Sequence, residues 1–582
     1  MTKSTVTLNE KKKNRRKVYR VIIQLIIIMA AIIFFASKVL NLKQYEEPAK
    51  EKWINHDDFI AISYFGVGRI DSPKLLSKER LQDQLNVLHK AGYETVSQQD
   101  IKNFYDKSQP LPDKALFLSF EDGRNDSALF SQPLLENYNY KASMLTYANR
   151  LGDKDHKFLQ PKDLKEMEKT GYWEMGTNGY RLSYINIVTD KKRYLGEKAE
   201  KEIPNKMAIE YYNHYLMDFI RDKDMIPKEN YDEMAQRITK DYDLMQKEYK
   251  EQMDEVPQLY MIMHANTMYN SMHELVEKVN DKNIKRLFSL HFNRDGYAKN
   301  TKRTSPYNLT RLQVNPSWSM NQFIMRVNDG LKYKIEYEHG DIEQYKQWQE
   351  KNGVAQFDGN QVILTTKPNK VGSLTWKEEK LKDVQIEATV KGKVMGEQSI
   401  ILRQQNDDEY IRVAIKNNKL QIYESVQAKE RLLKEEKLNK IKWQGEDYAF
   451  SKARTYSQIE TLQGSSIDKD EYPSGIDGSR KLSITLQGES LSVKVDDLSP
   501  LTTLVTVQDA GQIRLSAAPY QKKTAKETKH EEKLIYDGVF EDLVIKSKEQ
   551  EKYTMKYSGT DLITNEIKKA WNGTLTKIME WF

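Results

Sequence analysis

The most apolar stretch of the chain lies near its N-terminus. Residues 21–36 (VIIQLIIIMAAIIFFA) contain no charged side chain, and with the flanking apolar positions they reach the roughly 20 residues that a bilayer requires. We therefore predict a transmembrane helix over residues 21–40, with Lys38 extending its ammonium group to the interface. A cleaved signal peptide is the alternative, but no small-residue cleavage site follows Ala36.

Short apolar runs then alternate with helical patterns over residues 57–330. FIAISYF (59–65) and ALFLSF (115–120) are strand-like, and the stretch 77–91 between them has helical spacing and ends at the turn residue Gly92. Such alternation predicts a largely parallel sheet or barrel of the α/β class. In that architecture functional side chains lie at the C-terminal ends of strands.

A different pattern fills residues 345–547. Apolar and polar positions alternate with period two, for example in VQIEATV (384–390) and KLSITLQGESLSVKVDD (481–497). This period predicts antiparallel hairpins and an all-β sandwich. Residues 427–440 and 453–480 break the alternation, and we interpret them as insertions into the sandwich.

The net charge of the chain is concentrated at its start. The whole sequence has a net charge of +7, and residues 1–20 alone hold eight Lys or Arg against Glu10, so the remainder is neutral. A nucleic-acid-binding domain is therefore not expected. The basic cluster before the span predicts a cytoplasmic N-terminus and an extracytoplasmic location for the rest, as a single-pass protein of the cell membrane.

Two further classes of site are excluded by the sequence. The chain has no cysteine, so disulfides, thiolate zinc sites and cysteine nucleophiles are absent. It also has no Walker-type loop and no GxGxxG stretch, so no nucleotide cofactor is expected.

Near the C-terminus, residues 559–582 place apolar side chains at helical spacing between lysines. This pattern predicts an amphipathic helix that docks on the sandwich, the membrane or a partner.

The first candidate for chemistry is the pair Glu121-Asp122, followed by Gly123. The two carboxylates stand where the strand 115–120 stops, and glycine permits a tight turn there. Adjacent acids at a strand end suit one metal ligand and one general base. A solvated turn is the alternative.

The setting of this pair resembles a known family. The stretches 76–101 and 111–123 (LPDKALFLSFEDG) are similar to the opening of the polysaccharide deacetylases of the NodB-homology type, carbohydrate esterase family 4. In that family the strand ends in T-F-D-D-G, where the first acid is the general base and the second binds a divalent metal, usually zinc. The resemblance implies a NodB-like distorted (β/α) barrel, with Glu121 as the base and Asp122 as a metal ligand.

The family's second motif is degenerate in this chain. It reads roughly E-I-G-S-H-T-x-x-H with both histidines on the metal, and the matching stretch here is EMGTNGYRL (174–182). Asn178 and Leu182 stand at the two histidine positions. A catalytic zinc site needs three protein ligands and an open position, so the resemblance leaves Asp122 as the only matching ligand.

Other polar residues are predicted to line the same site. His264, after the strand-like LYMIM (259–263), is a third candidate catalytic residue, either beside Asp122 on a metal or as an acid or base without one. Structural histidines and Arg–Asp salt bridges are the alternative interpretation. The candidate substrate-binding residues are Asn178, Asn266, Arg294, Asp295, Arg311 and Trp318.

The second domain resembles the concanavalin-like or laminin-G sandwiches, some of which bind carbohydrate. Trp376, Tyr410, Tyr423 and Trp443 are candidate stacking platforms there, with burial in the core as the alternative.

Three functions follow from these resemblances. The favoured one is a deacetylase fold with little or no metal-dependent activity, which binds or guides a cell-surface or exported polysaccharide together with the sandwich. The others are an active polysaccharide deacetylase with a non-standard metal site and a metal-free glycoside hydrolase. The expected partners are the polysaccharide, the membrane and a polysaccharide synthase or export complex.

Overall fold

The computed structural model describes residues 43–153, 155–189, 191–203, 209–262, 268, 272–442, 476–520 and 533–557, with Tyr19, 21–26 and 28–29 near the N-terminus. Most of the predicted span 21–40 and all of the predicted helix 559–582 lie outside these residues. No helix within the described ranges is both long and apolar enough to cross a membrane. Membrane anchoring therefore stays a prediction.

The first domain alternates strands and helices as the sequence pattern predicts. Its elements are β1 (Asp58–Tyr64), β2 (Val67–Gly68), β3 (Leu76–Ser77), α1 (Lys78–Lys90), β4 (Glu94–Thr95), α2 (Gln98–Lys107), β5 (Ala115–Phe120), α3 (Asn125–Tyr138), β6 (Ala142–Tyr147), α4 (Pro161–Lys169), β7 (Trp173–Gly179), β8 (Ser183–Thr189), β9 (Tyr194–Ala199), β10 (Ile209–His214), α5 (Tyr231–Met253), β11 (Leu259–Met261), α6 (Glu274–Leu287), β12 (Leu290–Asp295), β13 (Lys299–Thr301), β14 (Leu309–Val314) and α7 (Met320–Val327).

Seven parallel strands of this domain close into a barrel. The order is β1-β14-β12-β11-β7-β6-β5, and β5 pairs with β1 to complete the circle. Strand β4 adds to β5 on the outside, and β13 pairs antiparallel with β1. The predicted α/β barrel is thus confirmed, because strands such as β5, buried along their whole length, need cover on both faces.

Side chains alternate along the barrel strands between an interior core and the core under the helices. On β5, Phe117 belongs to the interior cluster with Phe292, whereas Leu118 packs in the outer cluster. By the same period of two, Ser119 and then Glu121 continue the interior row toward the C-terminal end of the strand. The barrel interior is therefore apolar at one end and polar where Glu121 lies.

An insertion follows β7 that the sequence analysis does not predict. Strands β8, β9 and β10 form a three-stranded antiparallel sheet in the order β10-β8-β9. Its small core contains Tyr184, Ile187, Ile203 and Tyr212.

The second domain is all-β and antiparallel, in agreement with the period-two pattern. After α8 (Ile342–Lys346), two sheets of seven and eight strands share one hydrophobic core. The strands are β15 (Trp348–Lys351), β16 (Gly353–Asp358), β17 (Gln361–Thr366), β18 (Gly372–Trp376), β19 (Val384–Lys393), β20 (Gly396–Gln404), β21 (Tyr410–Lys416), β22 (Lys419–Val426), β23 (Lys429–Lys437), β24 (Asp477–Gln487), β25 (Ser490–Val495), β26 (Leu501–Leu504), β27 (Gln512–Pro519), β28 (Asp537–Ser547) and β29 (Gln550–Thr554). The eighth strand of the larger sheet, β29, pairs at its side with β28.

Some details of this domain differ from the prediction. Residues 427–440, interpreted as an insertion, contain β23, which pairs with β22 at the sheet edge. Trp376 is buried in the core, so it is no stacking platform. Tyr423 lies under the guanidinium of Arg412, with 4.1 Å between the Arg412 Cζ and the ring centroid, and Trp443 lies outside the described residues.

The two domains are joined by specific polar contacts. Ser319 caps the N-terminus of α7, and both its backbone N–H and its hydroxyl bond the carboxylate of Asp537 on β28 at 2.8 Å. The Thr365 hydroxyl donates to the same carboxylate at 2.6 Å. These contacts connect the end of the barrel domain directly to the eight-stranded sheet.

Candidate functional site

Glu121 lies inside the barrel, paired with an arginine. Its backbone N–H donates to the carbonyl of Tyr64 at 2.9 Å, which extends the pairing of β5 with β1 by one residue. Its side chain is 0% exposed, and Arg311 on β14, itself only 3% exposed, donates from Nε to Glu121 Oε1 at 2.9 Å. Arg311 Nη2 also donates to the carbonyl of Ile262 at 3.0 Å. Within the described part of the chain, Glu121 Oε2 has no hydrogen-bond partner.

Asp122 forms a second carboxylate–arginine pair. Arg150 Nη1 donates to Asp122 Oδ1 at 2.9 Å. Arg150 ends a short 3₁₀ turn that follows β6, and its guanidinium covers the ring of Phe158, 3.9 Å from the centroid. The Asp122 side chain is 8% exposed and that of Arg150 is 26% exposed, so the carboxylate is largely removed from water.

The backbone turn after β5 explains why Gly follows the two acids. Asp122 and Gly123 both have positive φ angles, 68° and 61°, a region that glycine and, among other residues, Asn and Asp tolerate best. A Cβ atom on Gly123 would lie 2.7 Å from Cγ2 of Thr146. The turn therefore brings the chain against β6, which places Asp122 within reach of Arg150.

Asn178 uses its side-chain amide to hold three strand ends together. Its Oδ1 accepts the backbone N–H of Asp122 at 3.1 Å, and its Nδ2 donates to the carbonyl of Met261 at 2.9 Å. The side chain is buried. At the family's first histidine position, this chain thus has an amide that links β5, β7 and β11.

Leu182, at the second histidine position, has an apolar role. It packs against the core of the three-stranded insertion. A leucine side chain offers no donor atom to a metal.

The donor set does not fit the metal of the family. Asp122 is paired with Arg150, the Asn178 amide is bonded to backbone groups, and Leu182 has no ligand atom. No group of three or more His, Asp or Glu side chains within the described ranges is arranged to hold a metal ion. Asp122, Asn178 and Leu182 by themselves do not supply the three ligands that a tetrahedral catalytic site with an open position needs.

The other predicted site residues divide into three groups. Arg311 is bonded to Glu121. Trp318 lies under the guanidinium of Arg326, at 4.5 Å, and its carbonyl accepts from Arg80. His264 and Asn266 lie outside the described residues. Arg294 and Asp295 lie in β12, where only their backbone is described.

Arg150 is the site residue that the sequence analysis misses. It stands 28 residues after Asp122, in a stretch that matches no motif. Its position at the C-terminal end of a buried strand, β6, is the only signal for it, because such ends meet at one rim of the barrel.

This chain, with its parallel barrel and the acidic pair after β5, is similar to the polysaccharide deacetylases. Over 94 residues, 16% of this chain and 33% of the relative, it is 26% identical to "Putative polysaccharide deacetylase YxkH" of Bacillus subtilis (strain 168). The chain therefore spans about a third of the length of the curated relative it matches. This similarity supports the homology to polysaccharide deacetylases predicted from the motifs.

Solved structures similar to this chain include two deacetylases. A de-N-acetylase from Aggregatibacter actinomycetemcomitans is 18% identical and covers 46% of this chain and 98% of its own, with a TM-score of 0.36. The BpsB deacetylase domain from Bordetella bronchiseptica is 15% identical and covers 46% of this chain and 98% of its own, with a TM-score of 0.34. No protein-family model matches the chain.

Proposed function

We propose that this chain is a deacetylase-like protein that binds a cell-surface or exported polysaccharide and has little or no metal-dependent deacetylase activity. The predicted span 21–40 anchors it in the cell membrane, with the barrel and the sandwich on the extracytoplasmic side. The polysaccharide as ligand class is supported by the name of the relative in Bacillus subtilis. A polysaccharide synthase or export complex is the proposed source of the polymer.

One observation supports the loss of metal chemistry above all others: each acid of the Glu121-Asp122 pair is bonded to an arginine. In a metal-dependent hydrolase the metal polarises the carbonyl and lowers the pKa of its bound water. A guanidinium supplies positive charge, but it has no open coordination position for water and no proton that it readily releases. The two arginines thus neutralise the charges of Glu121 and Asp122, but they do not activate a water molecule.

The geometry of Glu121 also disfavours the role of general base. A base must come within hydrogen-bond reach of the water it activates. Glu121 is 0% exposed and its Oε1 is already occupied by Arg311. In this buried and paired position Glu121 is poorly placed to activate a water that enters from the solvent.

The test separates binding from hydrolysis. The full chain, purified in detergent, is incubated with oligomers of N-acetylated and O-acetylated polysaccharides, and acetate release and ligand retention are measured in parallel. We expect retention without acetate release. Acetate release that disappears in Glu121→Gln and Asp122→Asn, but not in the exposed control Glu166→Gln, would overturn the proposal in favour of an active enzyme.

The anchoring is tested by membrane fractionation. We expect the full chain to remain in the membrane fraction after a high-salt wash, and a variant without residues 21–40 to lose that association. Equal behaviour of the two chains would refute the anchor and leave the glycan-binding proposal standing.

A further inference from the structure

The segment that follows the predicted span is bound to the barrel along its length. We call residues 43–53 the strap. The Tyr172 hydroxyl donates to the carbonyl of Gln44 at 3.2 Å, and the backbone N–H of Tyr45 donates to the carbonyl of Thr170 at 3.0 Å. One residue further on, Glu46 and the side chain of Asn139 exchange two hydrogen bonds of 3.1 and 2.8 Å.

Side chains reinforce this attachment of the strap. The ring of Tyr45 meets that of Tyr172 edge-on, with 5.5 Å between centroids, and the ammonium of Lys141 lies 4.3 Å from the centroid of the Tyr45 ring. Lys141 also pairs with Glu47 at 2.9 Å. A Cβ atom on Gly171 would lie 2.9 Å from Cβ of Tyr45, so the close approach of the strap depends on glycine there.

The end of the strap is held as firmly as its start. Lys50 pairs with Asp100 at 2.8 Å, and Trp53 is buried in the cluster that fills the barrel interior. Just beyond, Asn55 and Leu111 exchange two backbone hydrogen bonds of 2.9 and 2.8 Å. The strap is therefore part of the folded domain.

The strap contacts lie at the end of the barrel opposite to the candidate site. Asn139 and Lys141 precede β6, Thr170 to Tyr172 precede β7, and Leu111 precedes β5, whereas Glu121, Asp122 and Asn178 lie at the C-terminal ends of β5 and β7. At about 3.3 Å per residue, the seven residues of β7 separate the two ends by roughly 20 Å.

The distance from the predicted span to the strap is short. The span ends at residue 40 and the first bonded residue is Gln44, so three residues, or four Cα–Cα steps, connect them. A fully extended chain covers at most ~3.6 Å per residue, so this connection reaches no further than about 14 Å. A connection of that length cannot act as a flexible stalk.

We propose that the strap fixes the barrel with its N-terminal end facing the lipid surface and its candidate site facing away from the membrane. This inference rests on the proposed anchoring by residues 21–40. The site then meets polymer that extends outward from the membrane, and it is directed away from sugars linked to lipid at the bilayer surface. The surface that faces the lipid is the end of the barrel to which the strap is bound.

The absence of cysteine from the chain makes this orientation measurable. Two exposed lysines serve as matched labelling positions: Lys169 adjoins the strap contact at Thr170, and Lys157 adjoins Phe158 beside Arg150. The full-length single-cysteine variants Lys169→Cys and Lys157→Cys are labelled with a donor fluorophore and reconstituted into vesicles that contain acceptor-labelled phosphatidylethanolamine. We expect markedly higher energy transfer from position 169 than from position 157.

A variant of each protein with about ten Gly and Ser residues inserted between Leu42 and Lys43 provides the control, because a flexible linker of that length releases the orientation. We expect the insertion to remove most of the difference between the two positions. Equal transfer, or higher transfer from position 157, in protein that floats with the vesicles would overturn the inference. Protein that fails to float with the vesicles would instead refute the anchor itself.

Discussion

At the scale of single residues, each acid of the pair after β5 forms a hydrogen-bonded ion pair with an arginine. Burying an isolated carboxylate costs several kcal/mol, and a guanidinium that is hydrogen-bonded in good geometry offsets much of that cost. Glu121 has such a partner in Arg311, and Asp122 has one in Arg150. The two arginines therefore help to hold the acids in position at the barrel rim.

Removal of one partner is expected to be costly. Arg311→Met should lower the free energy of unfolding of the barrel by about 3–5 kcal/mol, because Glu121 is left buried and unpaired. The double variant Glu121→Leu, Arg311→Met should recover much of the loss. Chemical denaturation monitored by circular dichroism measures both, with Arg286→Met in the exposed pair with Asp243 as a control expected to change stability by less than about 1 kcal/mol.

A second residue-scale prediction concerns Glu174, on the side of β7 near the strap. Burial raises the pKa of Glu174 to about 7, although Gln98 N–H bonds its Oε2 at 2.8 Å. Because the folded pKa exceeds the ordinary value of 4.5, the stability from this protonated group is present below about pH 4.5 and is lost as the pH rises through 7.

Glu174→Gln keeps an acceptor for Gln98 and removes the titration. At pH 8 we expect the variant to be more stable than the parent chain by up to about 3 kcal/mol, and at pH 4 to differ little. Thermal unfolding at both pH values measures this, with the exposed Glu166→Gln as the control. Equal stabilisation at both pH values would contradict the assigned pKa.

At the scale of elements, the barrel strands and the acidic turn could be predicted because their signals are local. β5 is a continuous apolar run that stops at Glu121, and its setting carries the family resemblance. The ion pairs could not be predicted, since Arg150 and Arg311 are distant in sequence and have no motif. β23 (KERLLKEEK) was missed because it is an edge strand with charges on both faces, which protects the edge and hides the period of two.

Asn178 is the side chain that connects these elements. Asn178→Ala should lower the free energy of unfolding of the barrel by about 2–4 kcal/mol, because the Asp122 N–H and the Met261 carbonyl lose a buried partner. The exposed Asn137→Ala on α3 is the control, expected to stay within about 0.5 kcal/mol of the parent. A loss as small as that of the control would show that the amide does not hold the strand ends together.

At the scale of the whole molecule, the barrel and the β-domain form a connected unit through Ser319, Thr365 and Asp537. Burial raises the pKa of Asp537, while the bonds from Thr365 and Ser319 oppose that rise. An ion pair, Lys533 with Asp329 at 2.6 Å, joins the same two domains. A rigid connection of this kind presents any glycan-binding surface of the sandwich at a fixed position relative to the barrel.

Asp537→Ala should loosen this connection, because the two hydrogen bonds from Ser319 to the carboxylate are lost. We expect faster cleavage by trypsin between residues 328 and 347, while the thermal unfolding of each domain changes little. Asp509→Ala, an exposed aspartate on a loop of the β-domain, is the matched control. Unchanged cleavage in the Asp537 variant would show that other contacts hold the domains.

The most direct test of the central claim is the metal content of the full chain, purified in detergent, exposed to zinc and then desalted. Elemental analysis compares it with Asp122→Asn, a substitution that tolerates the positive φ of this position. Arg150 is bonded to Asp122, and Asn178 and Leu182 stand where the family's second motif has its two metal-binding histidines. We therefore predict no stoichiometric divalent metal in either protein. Stoichiometric zinc in the parent chain that is lost in Asp122→Asn would contradict the account and indicate a metal-dependent deacetylase.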